Sequence, residues 1–199
     1  GSRRAISRLV AVLQPHREAL ADDREHTIVQ ARSDCDQQAA HPYDELSDLP
    51  GVKWSDLVPE VAVDVCRFAF ENSEGLERKR MLYQLGRSLD KAGDPEALEV
   101  LFKAGENFGY PIALNHLGIL YRDGEYTEVD RFLAERFFRW AAEKGNLPAQ
   151  YNLARLMLED AHSPKEVSEA YGMLNVVSMA GYPTAQEFYG KAILDGKID

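Results

Sequence analysis

The sequence lacks most features that mark enzymes and membrane proteins. It contains only two cysteines, and no apolar run approaches the roughly 20 residues that a transmembrane helix requires. It has no phosphate-binding glycine loop, zinc-protease motif, nucleophile elbow or dinucleotide fingerprint. We therefore expect no membrane insertion, no cofactor and no enzymatic activity.

Positive charge is also scarce. The chain has 23 Lys and Arg residues against 33 Asp and Glu residues, which gives a formal net charge of −10. Such a balance opposes binding to a phosphate backbone or an anionic membrane surface, so we expect no nucleic-acid partner. Apolar residues make up 45% of the chain and charged residues 28%, as in ordinary soluble proteins.

The two cysteines, Cys35 and Cys66, leave two alternatives open: a disulfide or a pair of buried free thiols. A thiol nucleophile would need a nearby base, such as His41 for Cys35, but no catalytic signature surrounds either cysteine. Both cysteines also lie in helix-like, partly apolar stretches, where a thiol is usually inert. Cys35, His41 and Cys66 lack the close ligand pairs of a zinc site. We assign no catalytic residue and no metal ligand.

What the sequence does contain is a repeat. Gly109, Gly145 and Gly181 are 36 residues apart, and an exact period of this size is typical of a helical-repeat protein. Each glycine suits the left-handed position after a helix, and a proline soon follows that suits the first turn of the next helix. Two further columns share the period: Ala113, Ala149 and Ala185, and Gly118, Ala154 and Gly190. The period predicts an all-α solenoid of antiparallel helix pairs.

We place the repeats in residues 76–199, after an N-terminal helical extension in residues 1–75. Ser163 and Glu166 stand at capping-box spacing and predict the start of the third unit's second helix. Only the first helix of a fourth unit follows, and it ends near Leu194. The predicted units are 76–109, 110–145 and 146–181, with a half-repeat at 182–199.

The N-terminal extension shows helical patterns separated by a loop. Apolar spacing predicts helices over residues 5–20, with a break at Pro15, and over residues 24–40. Residues 41–59 form a loop packed onto the body, because prolines interrupt a stretch that still carries apolar side chains. Residues 61–70 form a further helix after a proline. The residues expected on its buried side are Val61, Ala62, Val65, Phe68 and Ala69.

Two segments resemble a known repeat family. Residues 137–145, FFRWAAEKG, and residues 149–154, AQYNLA, are similar to the Sel-one-like repeats (SLR), relatives of the tetratricopeptide repeats. The resemblance covers roughly residues 78–199 and weakens at residues 172–177, which replace the usual charged, aromatic second helix. It implies a right-handed α-solenoid and a bacterial, non-enzymatic scaffold for protein–protein interaction.

The segment before the repeats carries a second resemblance. Residues 35–44, CDQQAAHPYD, and residues 83–87, YQLGR, are similar to a lead-in found before SLR arrays in bacterial envelope proteins. That family commonly has cysteines at the positions of Cys35 and Cys66, so the resemblance implies a disulfide between these two residues. It also implies a periplasmic or secreted location, with the cytoplasm as the alternative if the thiols are free.

Some proteins with this lead-in carry a caspase-like peptidase domain upstream. The resemblance therefore implies a second function: a regulatory or substrate-docking region of a larger enzyme such as a caspase-like protease.

The tetratricopeptide pattern also implies which side chains line the concave face. The anchors of the projection are Leu85, Leu117, Leu153 and Tyr189. An arginine fork suits carboxylates, so the expected partner is a protein or peptide with an acidic segment or a free C-terminus. Alternatively, the cations of this face form ion pairs within the array. The positions in the four units are Tyr83, Arg87 and Asp90; Asn115, Ile119 and Arg122; Tyr151 and Arg155; and Glu187 and Lys191.

Overall fold

The computed structural model describes residues 24–44 and 49–198, and the helix predicted over residues 5–20 lies outside them. The described residues form nine α-helices and no β-strand. A 3-10 turn, Trp54–Asp56, interrupts the loop after the first helix. The helices are α1 (residues 24–39), α2 (Pro59–Glu71), α3 (Gly75–Ala92), α4 (Glu96–Phe102, followed by a π-helical turn Lys103–Asn107), α5 (Pro111–Asp123), α6 (Arg131–Glu143), α7 (Leu147–Asp160), α8 (Pro164–Met179) and α9 (Pro183–Leu194).

From α2 to α9, each helix packs against the next one in the chain. Three helix pairs result, α3–α4, α5–α6 and α7–α8, and α9 is the first helix of a fourth pair. Arg67 of α2 forms an ion pair of 2.7 Å with Glu96 of α4, so α2 lies beside the row of second helices. The protein is an all-α helical-repeat solenoid, as the period predicts.

Local signals set the turns between these helices. Gly109, Gly145 and Gly181 have φ values of 64°, 87° and 89°, the left-handed conformation that their position in the repeat predicts. The capping box at α8 is present, because the Ser163 hydroxyl accepts from the main-chain N–H of Glu166 and the Glu166 carboxylate accepts from that of Ser163. The helix boundaries in the repeats follow from these short-range patterns.

Each helix pair is closed by a small residue that receives a large one. A Cβ atom added at Gly86 of α3 would lie 2.8 Å from Leu101 of α4, and one added at Gly118 of α5 would lie 2.5 Å from the buried ring of Phe138 on α6. A larger residue at either point would therefore require the side chain of Leu101 or Phe138 to move. This contact explains the small-residue column of the repeat.

The N-terminal helices share the core of the repeats. Cys35 of α1 and Ala62 of α2 belong to the same buried apolar cluster as Leu85 and Leu117. A disulfide joins Cys35 to Cys66, with Cα atoms 4.8 Å apart. A boundary near residue 75 stays a prediction, and residues on both sides of it contribute to one core.

The predicted buried side of α2 is wrong in part. Val61 and Phe68 are exposed, whereas Ala62, Cys66 and Ala69 face inward. The disulfide explains the difference, because Cys66 must point toward α1 and the residues four before and three after it turn inward with it.

Among the described helices, none is both long and apolar enough to cross a membrane.

Candidate partner-binding site

A cavity of about 540 Å³ lies between the loop of residues 41–54 and helices α3 and α5. We call it the loop cavity. Both charged and aromatic side chains line it, and the helix wall consists of the first helices of two successive pairs. Its lining residues are His41, Pro42, Tyr43, Lys53 and Trp54 from the loop, Tyr83, Arg87 and Asp90 from α3, Asn115, His116 and Ile119 from α5, and Glu125.

The loop that forms one wall is closed at its base. The main-chain N–H of Val52 donates to the carbonyl of Ala40 at 2.7 Å. Arg87 donates to the same carbonyl of Ala40 at 3.3 Å and to that of Val52 at 2.6 Å. Gly51 has a φ of 76°, and a Cβ atom there would lie 2.5 Å from the main-chain nitrogen of Pro42, so the closure requires glycine.

Arg87 has a different environment from the one expected of a ligand-binding arginine. Its side chain is 2% exposed, and burial lowers the pKa of its guanidinium. Its terminal nitrogens donate to the main-chain carbonyls of Ala39, Ala40 and Val52. Arg87 therefore holds the wall of the loop cavity, and its contact with a ligand stays a prediction.

Helix α1 gives the loop a fixed starting point. Asp36 of α1 accepts hydrogen bonds of 2.8 Å from both Arg80 and Gln84 of α3. Burial raises the pKa of the Asp36 carboxyl, although Gln84 and Arg80 act in the opposite direction. Together with the Cys35 disulfide, these contacts fix the end of α1 against α3.

The lining of the loop cavity contains a buried aspartate, Asp90, which is held by two neighbouring side chains. Asp90 lies 2.7 Å from the Nε2 atom of His116 and accepts a hydrogen bond of 3.0 Å from the hydroxyl of Tyr126. Because an ionised carboxylate only accepts, Nε2 of His116 carries the proton. Tyr126 has a φ of 62°, unusual for a residue other than glycine, and its bond to Asp90 helps to hold that strained turn.

His41 is neutral in the folded protein. Its Nδ1 atom accepts a hydrogen bond of 3.1 Å from the main-chain N–H of Tyr43, so its proton is on Nε2. Burial, together with the nearby Arg87 and His116, lowers the pKa of His41 to about 3. At neutral pH this imidazole is a hydrogen-bond donor without a charge.

Asn115 adds a second donor. Its Oδ1 atom accepts a hydrogen bond of 2.9 Å from Asn152 of α7, which leaves the amide N–H groups to donate. Asp90 already accepts from His116 and Tyr126, so the amide of Asn115 and the Nε2–H group of His41 are the donors that the loop cavity offers to a ligand. Such a site suits a ligand that presents carbonyl or carboxylate oxygens.

The structure brings five of the ten predicted concave-face residues to the loop cavity: Tyr83, Arg87, Asp90, Asn115 and Ile119. The other five do not line it. Arg122 forms an ion pair of 2.6 Å with Asp123, and Arg155 forms one of 3.3 Å with Glu159. These two pairs follow the alternative of ion pairing within the array.

Tyr151 and Arg155 belong to a second aromatic cluster on α7 and α9. The ring of Tyr151 lies 5.6 Å from that of Tyr182, and the guanidinium of Arg155 lies 5.7 Å from the ring centre of Phe188. Tyr43 connects this cluster to the loop, because its ring lies 5.0 Å from that of Tyr182. The remaining two predicted residues, Glu187 and Lys191, are exposed on α9.

Sequence reasoning missed the loop side of the cavity and His116. Trp54 packs its ring 6.1 Å from that of His116, and Lys91 lies 5.1 Å from the centre of the Trp54 ring. The apolar residues between 41 and 59 did indicate a packed loop, but nothing local indicated which helices it would contact.

The disulfide also decides whether either cysteine can act as a thiol nucleophile. With Cys35 and Cys66 bonded to each other, neither offers a thiol, so the pairing of Cys35 with His41 as nucleophile and base is excluded in the bridged protein. Within residues 24–44 and 49–198, no three His, Cys, Asp or Glu side chains are grouped so as to hold a metal ion.

The chain is similar to known proteins both in sequence and in structure. No protein-family model matches the chain. Over 104 residues the chain is 32% identical to an uncharacterized protein of Neisseria meningitidis serogroup B. The matched segment makes up 52% of this chain and 21% of that protein. The chain thus spans about one fifth of that relative's length. Among solved structures, it is similar to a Sel1 repeat protein from Oxalobacter formigenes, with 26% identity and a TM-score of 0.49 over 57% of this chain and 88% of that chain.

Proposed function

We propose that this SLR-like chain is a non-enzymatic protein-interaction module that binds a peptide segment of a partner protein in the loop cavity. One observation carries the proposal: Asn115 and His41 line the cavity with donors that no described neighbour engages, while Asp90 already accepts from His116 and Tyr126. An extended peptide presents a row of carbonyl oxygens, which such donors can recognise.

The charges at the rim favour an acidic segment or a free C-terminus. Lys53 is exposed in the lining, and Lys91 lies over Trp54 at its edge. The exposed acidic residue of the lining is Glu125. The chain has a net charge of −10, whereas acidic residues do not outnumber cations at this site. The site is therefore less negative than the chain as a whole and attracts carboxylates.

The other predicted contacts extend this proposed site. The contact between Tyr43 and Tyr182 connects the loop cavity to the cluster of Tyr151 and Arg155. We propose that a longer peptide continues along this path and reaches Glu187 and Lys191 on α9.

A peptide array tests the site. It would contain 15-residue acidic and neutral sequences, each with a free and an amidated C-terminus, and hits would be measured by calorimetry. We expect Trp54→Ala and Lys53→Glu to weaken binding at least tenfold, because one removes an aromatic wall and the other reverses a rim charge. Phe132→Ala and Lys165→Glu are matched controls, since both side chains are exposed on helices away from the cavity.

All four side chains are substantially exposed, so the variants should keep the circular dichroism spectrum and melting temperature of the parent protein. Equal binding by the Trp54 and Phe132 variants would show that the loop cavity is not the peptide site.

The alternative proposal is that the chain is the regulatory or substrate-docking region of a larger enzyme such as a caspase-like protease. It is favoured by the sequence match, because the similar segment in Neisseria meningitidis forms about one fifth of a longer protein. Sequencing the complete gene decides between the two proposals. A peptidase domain in the same polypeptide would support the second, and its absence would leave the first.

We also propose a periplasmic or secreted location, because disulfides persist in oxidising compartments. The test is alkylation of the protein in intact cells, followed by mass measurement without reductant. Two alkylated cysteines would instead place it in a reducing compartment such as the cytoplasm.

A further inference from the structure

We infer that the loop cavity contains a carboxylate subsite, which holds the free C-terminal carboxylate of a partner chain. The subsite consists of His41, Tyr83, Arg87 and Asn115, all of which line the cavity. The inference rests on the proposed function in placing a peptide there. It goes further by stating which end of the peptide enters and which side chains hold that end.

Tyr83 brings a buried hydroxyl that has no hydrogen-bond partner among the described residues. Its side chain is 1% exposed, and its ring packs 5.7 to 6.2 Å from the rings of His41, Tyr110 and His116. Burial raises the pKa of this phenol, so the hydroxyl keeps its proton and can donate. Unlike the Nε atom of Arg80, the hydroxyl is not fully enclosed, so a ligand in the cavity can reach it. A buried donor of this kind indicates an acceptor supplied from outside.

Arg87 brings a buried positive charge without a counterion. No carboxylate of the described residues forms an ion pair with it, and none is among the groups that act on its pKa. Its terminal nitrogens donate to three main-chain carbonyls, and because a guanidinium has five N–H groups, two remain. A carboxylate bound in the cavity would supply the missing counterion and accept from the remaining N–H groups.

Asn115 and His41 complete the subsite from α5 and from the loop. Asn115 is 5% exposed, and its Oδ1 atom already accepts from Asn152, so the amide N–H groups are left for a ligand. His41 carries its proton on Nε2, because Nδ1 accepts from the main-chain N–H of Tyr43. Since the rings of His41 and Tyr83 lie 6.1 Å apart, the loop and α3 present their donors side by side.

Two acidic residues also line the loop cavity, but neither engages a member of the subsite. Asp90 lies 2.7 Å from Nε2 of His116 and accepts from the hydroxyl of Tyr126. Glu125 is exposed to solvent, where water and salt screen its charge. The carboxylate of Asp90 is therefore satisfied by donors outside the subsite, and the donors of the subsite stay available.

The closed base of the loop favours entry by a chain end. Arg87 bonds the carbonyls of Ala40 and Val52, the two residues whose main-chain hydrogen bond closes the loop, so its positive charge lies at the closure. A chain that reaches this point cannot continue past it, whereas a chain that ends there brings a carboxylate to Arg87. Ile119 and Trp54 add apolar surface to the lining, so we expect an apolar C-terminal side chain.

Calorimetric titration with a short mimic of a chain end tests the subsite. The probe is an acetylated tripeptide of two alanines and a C-terminal leucine, used as the free acid and as the amide up to about 10 mM. We expect the acid to bind at least tenfold more tightly, because only the acid brings a counterion for Arg87. The same tripeptide amide with glutamate in place of leucine controls for a side-chain carboxylate, and it should bind no better than the leucine amide.

Tyr83→Phe separates binding from folding. It removes one hydroxyl and keeps the ring, so binding of the acid should fall at least fivefold, while the melting temperature of the free protein should not fall, because no hydrogen bond is lost. Tyr110→Phe is the matched control: Tyr110 donates to Asp44 and does not line the loop cavity, so its loss should lower the melting temperature and leave binding unchanged.

Asn115→Asp is a second variant of the subsite. The new side chain can still accept from Asn152, but it replaces the amide donor with a carboxylate that repels the ligand and can itself act as the counterion of Arg87. We expect it to abolish the preference for the acid over the amide. Circular dichroism melts check that the variant folds.

Equal binding of the leucine acid and amide would overturn the inference, as would unchanged binding of the acid by both Tyr83→Phe and Asn115→Asp. Displacement of the tripeptide by an equal concentration of inorganic phosphate would also overturn it, because the subsite would then accept any small anion.

The longer peptides of the array judge the proposed function separately. If amidated and free peptides bind the loop cavity equally well, the subsite is wrong and the peptide site stands. If the tripeptide acid binds and no longer peptide does, the subsite stands and the peptide site is wrong.

Discussion

Single side chains show how far sequence reasoning about the site reaches. The repeat pattern placed Tyr83, Asn115 and Ile119 on one face, and all three line the loop cavity, although their contact with a partner stays a prediction. It could not predict that Arg87 would be used to hold a loop, since its acceptors, such as the carbonyl of Val52, come from a segment 35 residues away. Burial and long-range hydrogen bonding decide what a side chain at a given position can do.

His41 should make stability depend on pH. In the folded protein its pKa is about 3, whereas the unfolded chain takes up a proton near the ordinary value of 6.5. The unfolded state therefore binds more protons between these values, and the free energy of unfolding falls as pH drops from about 6.5 toward 3. The slope from one such group is at most about 1.4 kcal/mol per pH unit.

The matched variant is His41→Asn. An asparagine side chain can still accept from the N–H two residues on, as His41 does from Tyr43, but it does not titrate. Melting temperatures by circular dichroism between pH 7 and 4.5 should fall less steeply for this variant than for the parent. Parallel curves would mean that His41 does not titrate as its surroundings indicate.

At the scale of helices, local sequence signals were sufficient to predict where a helix begins and ends, but not which of its sides is buried. The capping box at Ser163 and the glycines after helices specify where a helix begins and ends, whatever lies around it. Which stripe of α2 is buried depends on Cys35, which is 31 residues away in sequence. The exposed Phe68 and buried Cys66 were therefore beyond a single-helix pattern.

The contrast between Gly118 and Gly190 gives a prediction for helix pairing. Gly118→Ala should destabilise the protein by about 1–3 kcal/mol, because its Cβ atom would overlap the buried ring of Phe138. Gly190→Ala should stabilise it by about 0.5–1 kcal/mol, since alanine favours the helix and its Cβ atom meets nothing. Urea unfolding at a protein concentration below any association measures both, and equal signs would contradict the packing contrast.

The disulfide should contribute strongly to the attachment of α1. Cys35→Ala combined with Cys66→Ala should lower the free energy of unfolding by about 3–4 kcal/mol, because a loop with a sequence separation of 31 is no longer closed in the unfolded chain. We expect faster hydrogen exchange in residues 24–44, while α5 to α8 keep their protection. A uniform loss of protection across all helices would show that the bridge supports the whole array.

At the scale of the whole molecule, the period accounts for the repeats but not for the segments before them. Thirty-six-residue spacing predicts that each helix contacts its neighbours, and the order of packing from α2 to α9 confirms this. The loop of residues 41–54 breaks that rule, because Tyr43 reaches Tyr182 across 139 positions of sequence. A period describes repeating contacts only, so the loop cavity could not be deduced from it.

Stability should be unequal along the solenoid. All residues from Arg80 to Asp90 of α3 are buried, whereas α9 buries only Ala185 and Ala192. Hydrogen exchange by mass spectrometry should therefore show α3 and α5 exchanging slowest and α9 exchanging fastest among the repeat helices. Equal protection of α3 and α9 in dilute protein would mean that the array opens as a single unit.

The bridge between Cys35 and Cys66 has a further consequence when the chain is pulled. The loop of residues 41–54 lies entirely inside the covalent ring that this bridge closes. Under tension on the two ends, about 100 Å of chain within the ring cannot extend, while the repeats can peel away one after another. The wall of the cavity is thus protected from mechanical load, and the C-terminal helices would yield first.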